Sequence, residues 1–582
     1  MRGFHKSKDF YKGLSHIYFH ISPLHIPFFP YFDANSNTSF SLCNFLTRFS
    51  IDWKQIGISL CTLNQIIKIL TYMKTLKTWT VAALCCIATN TFGQAPSYST
   101  QAITKDLEYF KDWTASQLAD GFKNKQLKLF HSPLMRQLAE QLKNGTYESQ
   151  YLLNSYSPIP SNKILEEKLK LYNGYSRYEN ITGVYLEKGE NVVLVGDLHG
   201  RKVSLLIADW MRQPTPGYEP TKDPQGWGLK RQEYRLHEGV NVINVEKAGN
   251  VYIDYFADDP ETAPAITIHF VTGKANGYFD AEKQSNEDWK RLLDHAVSPV
   301  MDVKTRYMQL AYPVEFLKKF RYEEGKELAQ AYDKIMEQQY TFNGAIKYNR
   351  IPPKRILARV NFNYFMFRDG DGVAFLGNEG TMKSALGPNI YSDWGVNHEI
   401  GHVMQMSPQL TWDGMTEVSN NLFTMYVARK AGQPSRLSKS KNYEKAREIF
   451  IDAKEKPFIM SAGGPFEKLV PFWQLYLYAE EKGYPDFYAD LMEHMRNNPD
   501  KGKGNASINN MYEFIKVSCD LLQTDLTDFF EKWGFFVPGT YDIGDYANYH
   551  FVVTDKMVQE TKDYIAGKKY QKPAKDITLL TD

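Results

Sequence analysis

Apolar positions along the chain follow two rhythms, and the changes between them divide it. Leu107, Phe110 and Leu118 fall at helical spacing, and Leu134, Leu138 and Leu142 continue it, which predicts a helical N-terminal region over residues 94–170. Over residues 171–280 short β-branched runs take over: TGVYLEKGENVVLVGDLHGRKVSLLI at 182–207, GVNVINVEKAGNVYIDYF at 239–256 and AITIHFV at 265–271. Glycine turns split these runs at near-regular intervals, the pattern of a β-sandwich of about 100 residues.

Residues 281–540 read as mainly helical. Ser285 and Asn286 suit a helix start, and Trp289, Leu292 and Leu293 open its apolar face. A helix is predicted over 326–340, and ILARVNFNYFMFRDGDGVAFL at 356–376 reads as two strands joined by a Gly/Asp turn. Leu469, Phe472, Trp473, Tyr476 and Leu477 give the i, i+3, i+4, i+7, i+8 stripe of another helix. A last helix is predicted over 525–536, and the polar, Lys-rich residues 541–582 read as a C-terminal tail. The fold class is multidomain α+β, a β-sandwich followed by a mainly helical domain.

The start of the chain changes this picture. Residues 73–93 read MKTLKTWTVAALCCIATNTFG, with Lys74 and Lys77 ahead of an apolar run from Trp79 to Ala88. This is the layout of a secretory signal peptide, with cleavage expected near Gly93. The run is too short for a mature membrane span, and no other stretch reaches ~18 uninterrupted apolar residues, so no transmembrane helix is predicted. A signal peptide lies at an N-terminus, so Met73 is the expected start and residues 1–72 are expected to be a spurious extension. The location is then extracytoplasmic: secreted, periplasmic or on the surface of a bacterium.

Export also changes what the cysteines mean. Of Cys43, Cys61, Cys85, Cys86 and Cys519, only the last lies beyond residue 93, which leaves no intrachain disulfide and no cysteine-based metal site. Charge adds an exclusion. With 69 Lys+Arg against 67 Asp+Glu the net charge is +2, without the basic excess of a nucleic-acid binder.

The chemistry-bearing segment is WGVNHEIGHVMQ at 394–405. His398, Glu399 and His402 form an H-E-x-x-H motif, and on a helix positions i and i+4 share a face, so both imidazoles can address one metal. A catalytic zinc takes three protein ligands plus water, and Glu399 is placed to act as general base on that water. After fourteen intervening residues Glu417 opens a second helix, TEVSNNLFTMYVARK, where it can complete a His-His-Glu set; Asp413, in the loop between, is the rival carboxylate. A solvated helix that happens to carry two histidines is the bland alternative. The apolar flanks Trp394, Val396, Ile400, Val403 and Met404 argue for a buried helix instead, in which such groups need partners. Gln405 and Asn397 flank the motif, with helix-surface and ligand-supporting roles both open.

NHEIGHVMQ, TEVSNNLFTMYV, PFWQLYLYAEEKGYPDFYADLMEHMR and DLTDFFEKWGFFVP together resemble the enhancin-like, mucin-degrading metallopeptidases, family sixty of the metallopeptidases, within the gluzincins. TGVYLEKGENVVLVG is similar to the β-sandwich that precedes the peptidase domain there. The resemblance implies a zincin fold over 281–540, Zn2+ held by His398, His402 and Glu417, and Glu399 as the catalytic base. It also implies a secreted endopeptidase acting on glycoproteins, O-glycosylated mucins above all. Tyr476, Tyr478 and His494 are candidate oxyanion donors, the strand near 373–379 is a candidate edge for pairing with substrate, and Trp394 and Trp412 are candidate sugar platforms. Two other readings remain: a glycan- or mucin-binding surface protein with a degenerate peptidase domain, and another zinc hydrolase such as an aminopeptidase.

Overall fold

Alternation of apolar and polar side chains builds the first layer of the molecule. In the computed structural model residues 97–169, 176–453, 457–460, 463–498 and 500–582 are described. The expected signal peptide and the extension before it lie outside the described residues. Two antiparallel sheets face each other. One has the strand order Leu153–Tyr156, Ile266–Phe270, Gly189–Val195, Gly239–Val245. The other runs Lys274–Ala275, Asn180–Leu186, Gly249–Asp254, Ser204–Ala208, Arg231–Arg235. Val193, Val195, Leu205, Ile207, Ile253, Ile268 and Phe270 fill the space between them. Val192 and Leu194 point the other way and are buried too, under Ile103, Leu107, Met135 and Leu138 of the N-terminal helices. The run VVLV is therefore apolar throughout because both of its faces are covered.

The N-terminal region is not helical throughout. Leu153–Tyr156 is a strand of the first sheet, paired with Ile266–Phe270, so the sandwich reaches back before residue 171. LNSY has only Tyr156 buried, and its partner lies more than 100 residues on, so local periodicity does not reveal it.

The second layer is a six-stranded mixed sheet: β1 (Phe279–Asp280), β2 (Val300–Lys304), β3 (Met308–Pro313), β4 (Ile356–Asn361), β5 (Met366–Asp369) and β6 (Gly372–Leu376), in the order β1-β2-β3-β4-β6-β5. Residues 356–376 thus hold three strands rather than two. β6 lies between β4 and β5, so the candidate edge at 373–379 is an interior strand and the exposed edge is β5.

Helices α1 (Gly325–Phe342), α2 (Trp394–Met404), α3 (Thr416–Lys430) and α4 (Pro465–Glu481) pack with this sheet in one continuous core. Ser285 caps the helix Asn286–Asp294 through a reciprocal capping box with Asp288. Cys519 is buried and free.

Residues 541–582 are not a loose tail. They contribute to a hairpin, β7 (Gly539–Gly544) and β8 (Asn548–Val553), followed by helix α5 (Asp555–Lys568). Phe551, Val553, Ile565 and Ile577 join the same core as the sheet and α2. One anchor side chain per turn is enough to dock such a segment and leaves its composition polar.

A buried polar cluster joins the sandwich to the mixed sheet. Asp302 on β2 is 2% exposed and accepts hydrogen bonds from Tyr252 Oη (2.7 and 2.8 Å), Asn250 Nδ2 (3.0 Å) and Gln309 Nε2 (3.3 Å). Tyr252 and Asn250 belong to the sandwich strand Gly249–Asp254, and Trp210 Nε1 donates to the same phenol oxygen at 2.9 Å.

Candidate metal centre

α2 begins where Asp393 accepts a hydrogen bond from Val396 N at 3.0 Å, the helix-starting role that its side chain suits. Val396, Ile400, Val403 and Met404 turn into the core, which fixes the opposite face of the helix. α3 crosses so close that a Cβ at Gly401 would lie 2.6 Å from the carbonyl oxygen of Asn420. Glycine at this position lets the two backbones touch. The motif histidines and the first turn of α3 are thereby brought together.

His398, His402 and Glu417 present donor atoms that all lie within 4.8 Å of one another. Glu417 Oε2 is 3.2 Å from His398 Nε2 and 3.5 Å from His402 Nε2. Donors about 2.1 Å from one tetrahedral ion stand about 3.4 Å apart, so this spacing suits a shared cation. Asp413 is elsewhere and is absent from the cluster.

The surrounding amides decide which imidazole nitrogens face inward. His402 Nδ1 is 3.0 Å from Gln405 Oε1, and Gln405 Nε2 donates to the Thr416 carbonyl (2.6 Å) and Ser419 Oγ (2.8 Å). His398 Nδ1 is 2.9 Å from Asn421 Oδ1, and Asn421 Nδ2 donates to the Glu417 carbonyl at 2.8 Å. In both amides the nitrogen is committed to a carbonyl, so the oxygen must face the ring, and the ring must carry its proton on Nδ1. Each Nε2 then carries its lone pair on the side of Glu417. The chemistry of this donor set and of the amides behind it fits a zinc ion. Asn420 packs beneath both rings, its Nδ2 3.0 Å from His402 Nε2 and 3.2 Å from His398 Nε2.

Electrostatics separate the two glutamates. Burial alone would raise the Glu417 carboxyl, but His398, His402 and the Tyr546 hydroxyl hold it well below the usual carboxylate range. Glu399 is 8% exposed, and burial pushes its carboxyl above the ordinary glutamate value against the pull of the two imidazoles. Burial also works against charge on His398, yet Glu417, Glu399 and Asn421 together lift its imidazole above the ordinary value. One glutamate is thus a fixed anion and the other a carboxylate with raised proton affinity, the division a metal ligand and a general base require.

Comparison with known proteins agrees with this geometry. Residues 274–534 match the family model of peptidase M60, enhancin and enhancin-like. This region belongs to the enhancin-like M60 metallopeptidases. The chain superposes on a metallopeptidase from Bacteroides thetaiotaomicron with a TM-score of 0.69 at 23% identity, covering 84% of this chain and 82% of that one. A metallopeptidase solved in complex with Tn antigen gives 0.63 at 24% identity, covering 75% and 81%. The catalytic module of the metalloprotease ZmpA from Clostridium perfringens gives 0.56 at 18%, covering 74% and 81%. At these identities the likeness is one of fold. Among curated proteins, TRPM8 channel-associated factor 3 of Rattus norvegicus is 24% identical over 418 residues, 68% of this chain. The chain spans about two-fifths of the length of that relative and of its Mus musculus counterpart (42% of each).

Other candidates find different places around the M60 centre. Trp412 is 2% exposed and packs on Phe472 and Phe514, so it is core and no sugar platform. Trp394 is half-buried under the Arg436 guanidinium, 4.3 Å from its ring centroid. Asn397 is spent on the start of α2, donating to the carbonyls of Tyr391 and Asp393. Tyr476 donates to Glu480, Tyr478 is buried, and His494 faces Glu513 at 3.8 Å. Among the described residues none of these three hydrogen-bonds to the centre. Asn421 and Tyr546 are the polar neighbours that sequence reasoning missed. The signal for Asn421 was its i+4 position after Glu417; for Tyr546, 129 positions away, there was none.

Proposed function

We propose that the protein is an exported zinc endopeptidase that hydrolyses peptide bonds in O-glycosylated, mucin-type glycoproteins. The observation that carries this reading is the convergence of His398, His402 and Glu417, inside an M60 region, beside a buried Glu399. The glycoprotein substrate class is supported by the structural relatives solved in complex with Tn antigen and with sialyl T antigen. Export is supported by the sequence pattern at 73–93, and among the described residues no helix is long and apolar enough to cross a membrane.

His398, His402 and Glu417 would hold the zinc, which when bound lowers the pKa of water and polarises the scissile carbonyl. Glu399 accepts the proton of the attacking water. Its raised proton affinity suits it to take that proton, which it then passes to the more basic leaving amine nitrogen. Among the described residues no donor ties down the Glu399 carboxylate, so it is free for this transfer. Asn421 and Gln405 keep each imidazole in the tautomer that binds metal.

A binding role without catalysis is the second reading, favoured by the curated relatives being named for association with a channel rather than for proteolysis. One experiment separates the two. The purified protein is incubated with an O-glycoprotein, with and without chelator, beside Glu399→Gln. Cleavage that stops with chelator and falls by about 10²–10⁴-fold in the variant is the expected result. Cleavage that survives the substitution defeats the mechanism, and binding of the glycoprotein without cleavage by the unmodified protein favours the second reading.

A further inference from the structure

The helix that supplies Glu417 has no cap of its own. Met415 precedes α3 and offers no side-chain hydrogen bond to its first turn. Asp545, at the tip of the β7–β8 hairpin, holds the residues on either side of Met415: its Oδ2 accepts from Gly414 N (3.0 Å) and from Thr416 Oγ1 (2.7 Å). The neighbouring Tyr546 donates its hydroxyl to Glu417 Oε1 at 2.7 Å, while the other oxygen of that carboxylate faces the two imidazoles. Ile543 lies so close over Gly414 (φ +94°) that a Cβ there would meet it at 2.8 Å. Three hairpin residues thus grip the loop and helix start that aim the third donor.

Tyr546 is 78% exposed. A ring that buries so little is not held by the hydrophobic effect, so its fixed point is the bond to Glu417. Glu417 Oε1 needs such a partner, because a carboxylate that turns about its last torsion changes which oxygen meets the metal.

We propose that Asp545 and Tyr546 are positioning residues of the metal centre, so that the hairpin beyond the matched M60 region is an integral part of the zinc site. Tyr546 fixes the rotation of the Glu417 carboxylate, and Asp545 fixes the start of the helix that carries it. This rests on the reading of His398, His402 and Glu417 as zinc ligands.

The test measures zinc affinity of the full chain by competition with a chromophoric chelator, alongside melting of the zinc-loaded and chelator-treated forms. Tyr546→Phe keeps the ring and removes the hydroxyl; it is expected to weaken zinc binding by about 10–100-fold. The melting temperature of the chelator-treated form is expected to stay at the wild-type value. Asp545→Ala is expected to weaken zinc as well, and Asp545→Asn, which keeps an acceptor oxygen, to restore most of it. With zinc in excess, cleavage by Tyr546→Phe is expected to return towards the wild-type rate, as an affinity effect requires. Wild-type zinc affinity in both Tyr546→Phe and Asp545→Ala overturns the proposal. A wild-type chain that fails to bind zinc overturns the ligand reading, and this proposal with it.

Discussion

The molecule buries carboxylates in two places and completes them in opposite ways. Asp302, between the sandwich and the mixed sheet, is surrounded by neutral donors: the Tyr252 hydroxyl and the Asn250 and Gln309 amides. Among the described residues no lysine or arginine pairs with it. The cluster at α2 and α3 holds two glutamates and two histidines whose Nε2 atoms converge on one point. In the first, every polar demand on the carboxylate is met from within, and the result is a fixed junction between two layers. In the second, the Gln405 and Asn421 amides are satisfied by carbonyls, while two Nε2 atoms and a Glu417 oxygen crowd together in an arrangement that suits a shared cation. Burial alone does not mark a functional site; what distinguishes it is which demand the protein leaves open.

The largest effect is expected where that open demand is removed. His398→Ala deletes one of three candidate donors and leaves Glu417 Oε2 without the nearer of its two imidazoles. Zinc measured by plasma emission after dialysis is expected to fall below stoichiometric, and glycoprotein cleavage by at least about 10³-fold, on the scale of losing a residue essential to the catalytic constellation. Full zinc occupancy in this variant breaks the comparison, because the cluster would then be as closed as that of Asp302.

The Asp302 side of the comparison is tested by pH. Burial raises its carboxyl to about 6, while the surrounding hydrogen bonds favour the ionised form less strongly. A folded-state value above the ordinary 3.8 means that the native state holds the proton longer than the unfolded chain does. Its contribution to stability is therefore complete below about pH 4 and is lost as pH rises through about 6, amounting to about 3 kcal/mol at most. Asp302→Asn, which cannot ionise, is expected to lose stability less steeply than wild type between pH 4 and pH 6.5 in denaturant titrations, and to overtake it above. Parallel curves for the two proteins sink the assignment. Zinc content is expected to be equal in both.

What the sequence discloses follows from how local each signal is. His398 and His402 share a helix face at four residues' spacing, and Glu417 lies in the first turn of the next helix, so both ends of the triad can be read from short segments. The strand runs at 182–207 and 239–256 are legible because one face is always in the core. Leu153–Tyr156 is not, since three of its four residues are not fully buried and only a distant partner makes it a strand. The hairpin at 539–553 fails for the same reason. Its strands bury only Tyr541, Phe551 and Val553 fully, so YDIGDYANYHFVV reads as polar tail although its Tyr546 hydrogen-bonds Glu417. The strand order, with β6 inside and β5 at the edge, depends on a chain reversal that no periodicity encodes. Sites assembled from one helix face announce themselves; the contacts that aim them come from anywhere.

The smallest effects compare the two clusters one amide at a time. Gln405 and Gln309 are both half of a neutral pair with a buried ionisable group, but the partners differ. Gln309 donates to Asp302 at 3.3 Å, a long contact that shares its acceptor with Tyr252. Its removal in Gln309→Ala is expected to cost about 1 kcal/mol of stability, read from denaturant midpoints, and to leave zinc affinity unchanged. Gln405 instead holds the proton of His402 on Nδ1 and ties the end of α2 to Thr416 and Ser419 at the start of α3. Gln405→Ala frees the ring to rotate and to protonate at the nitrogen that faces the metal. Zinc binding is then expected to weaken by about 10-fold or more, with a stability loss in the chelator-treated protein no larger than that of Gln309→Ala. If both variants shift zinc affinity equally, the amides act through general loosening of the core, and the distinction between a closed cluster and an open one does not hold.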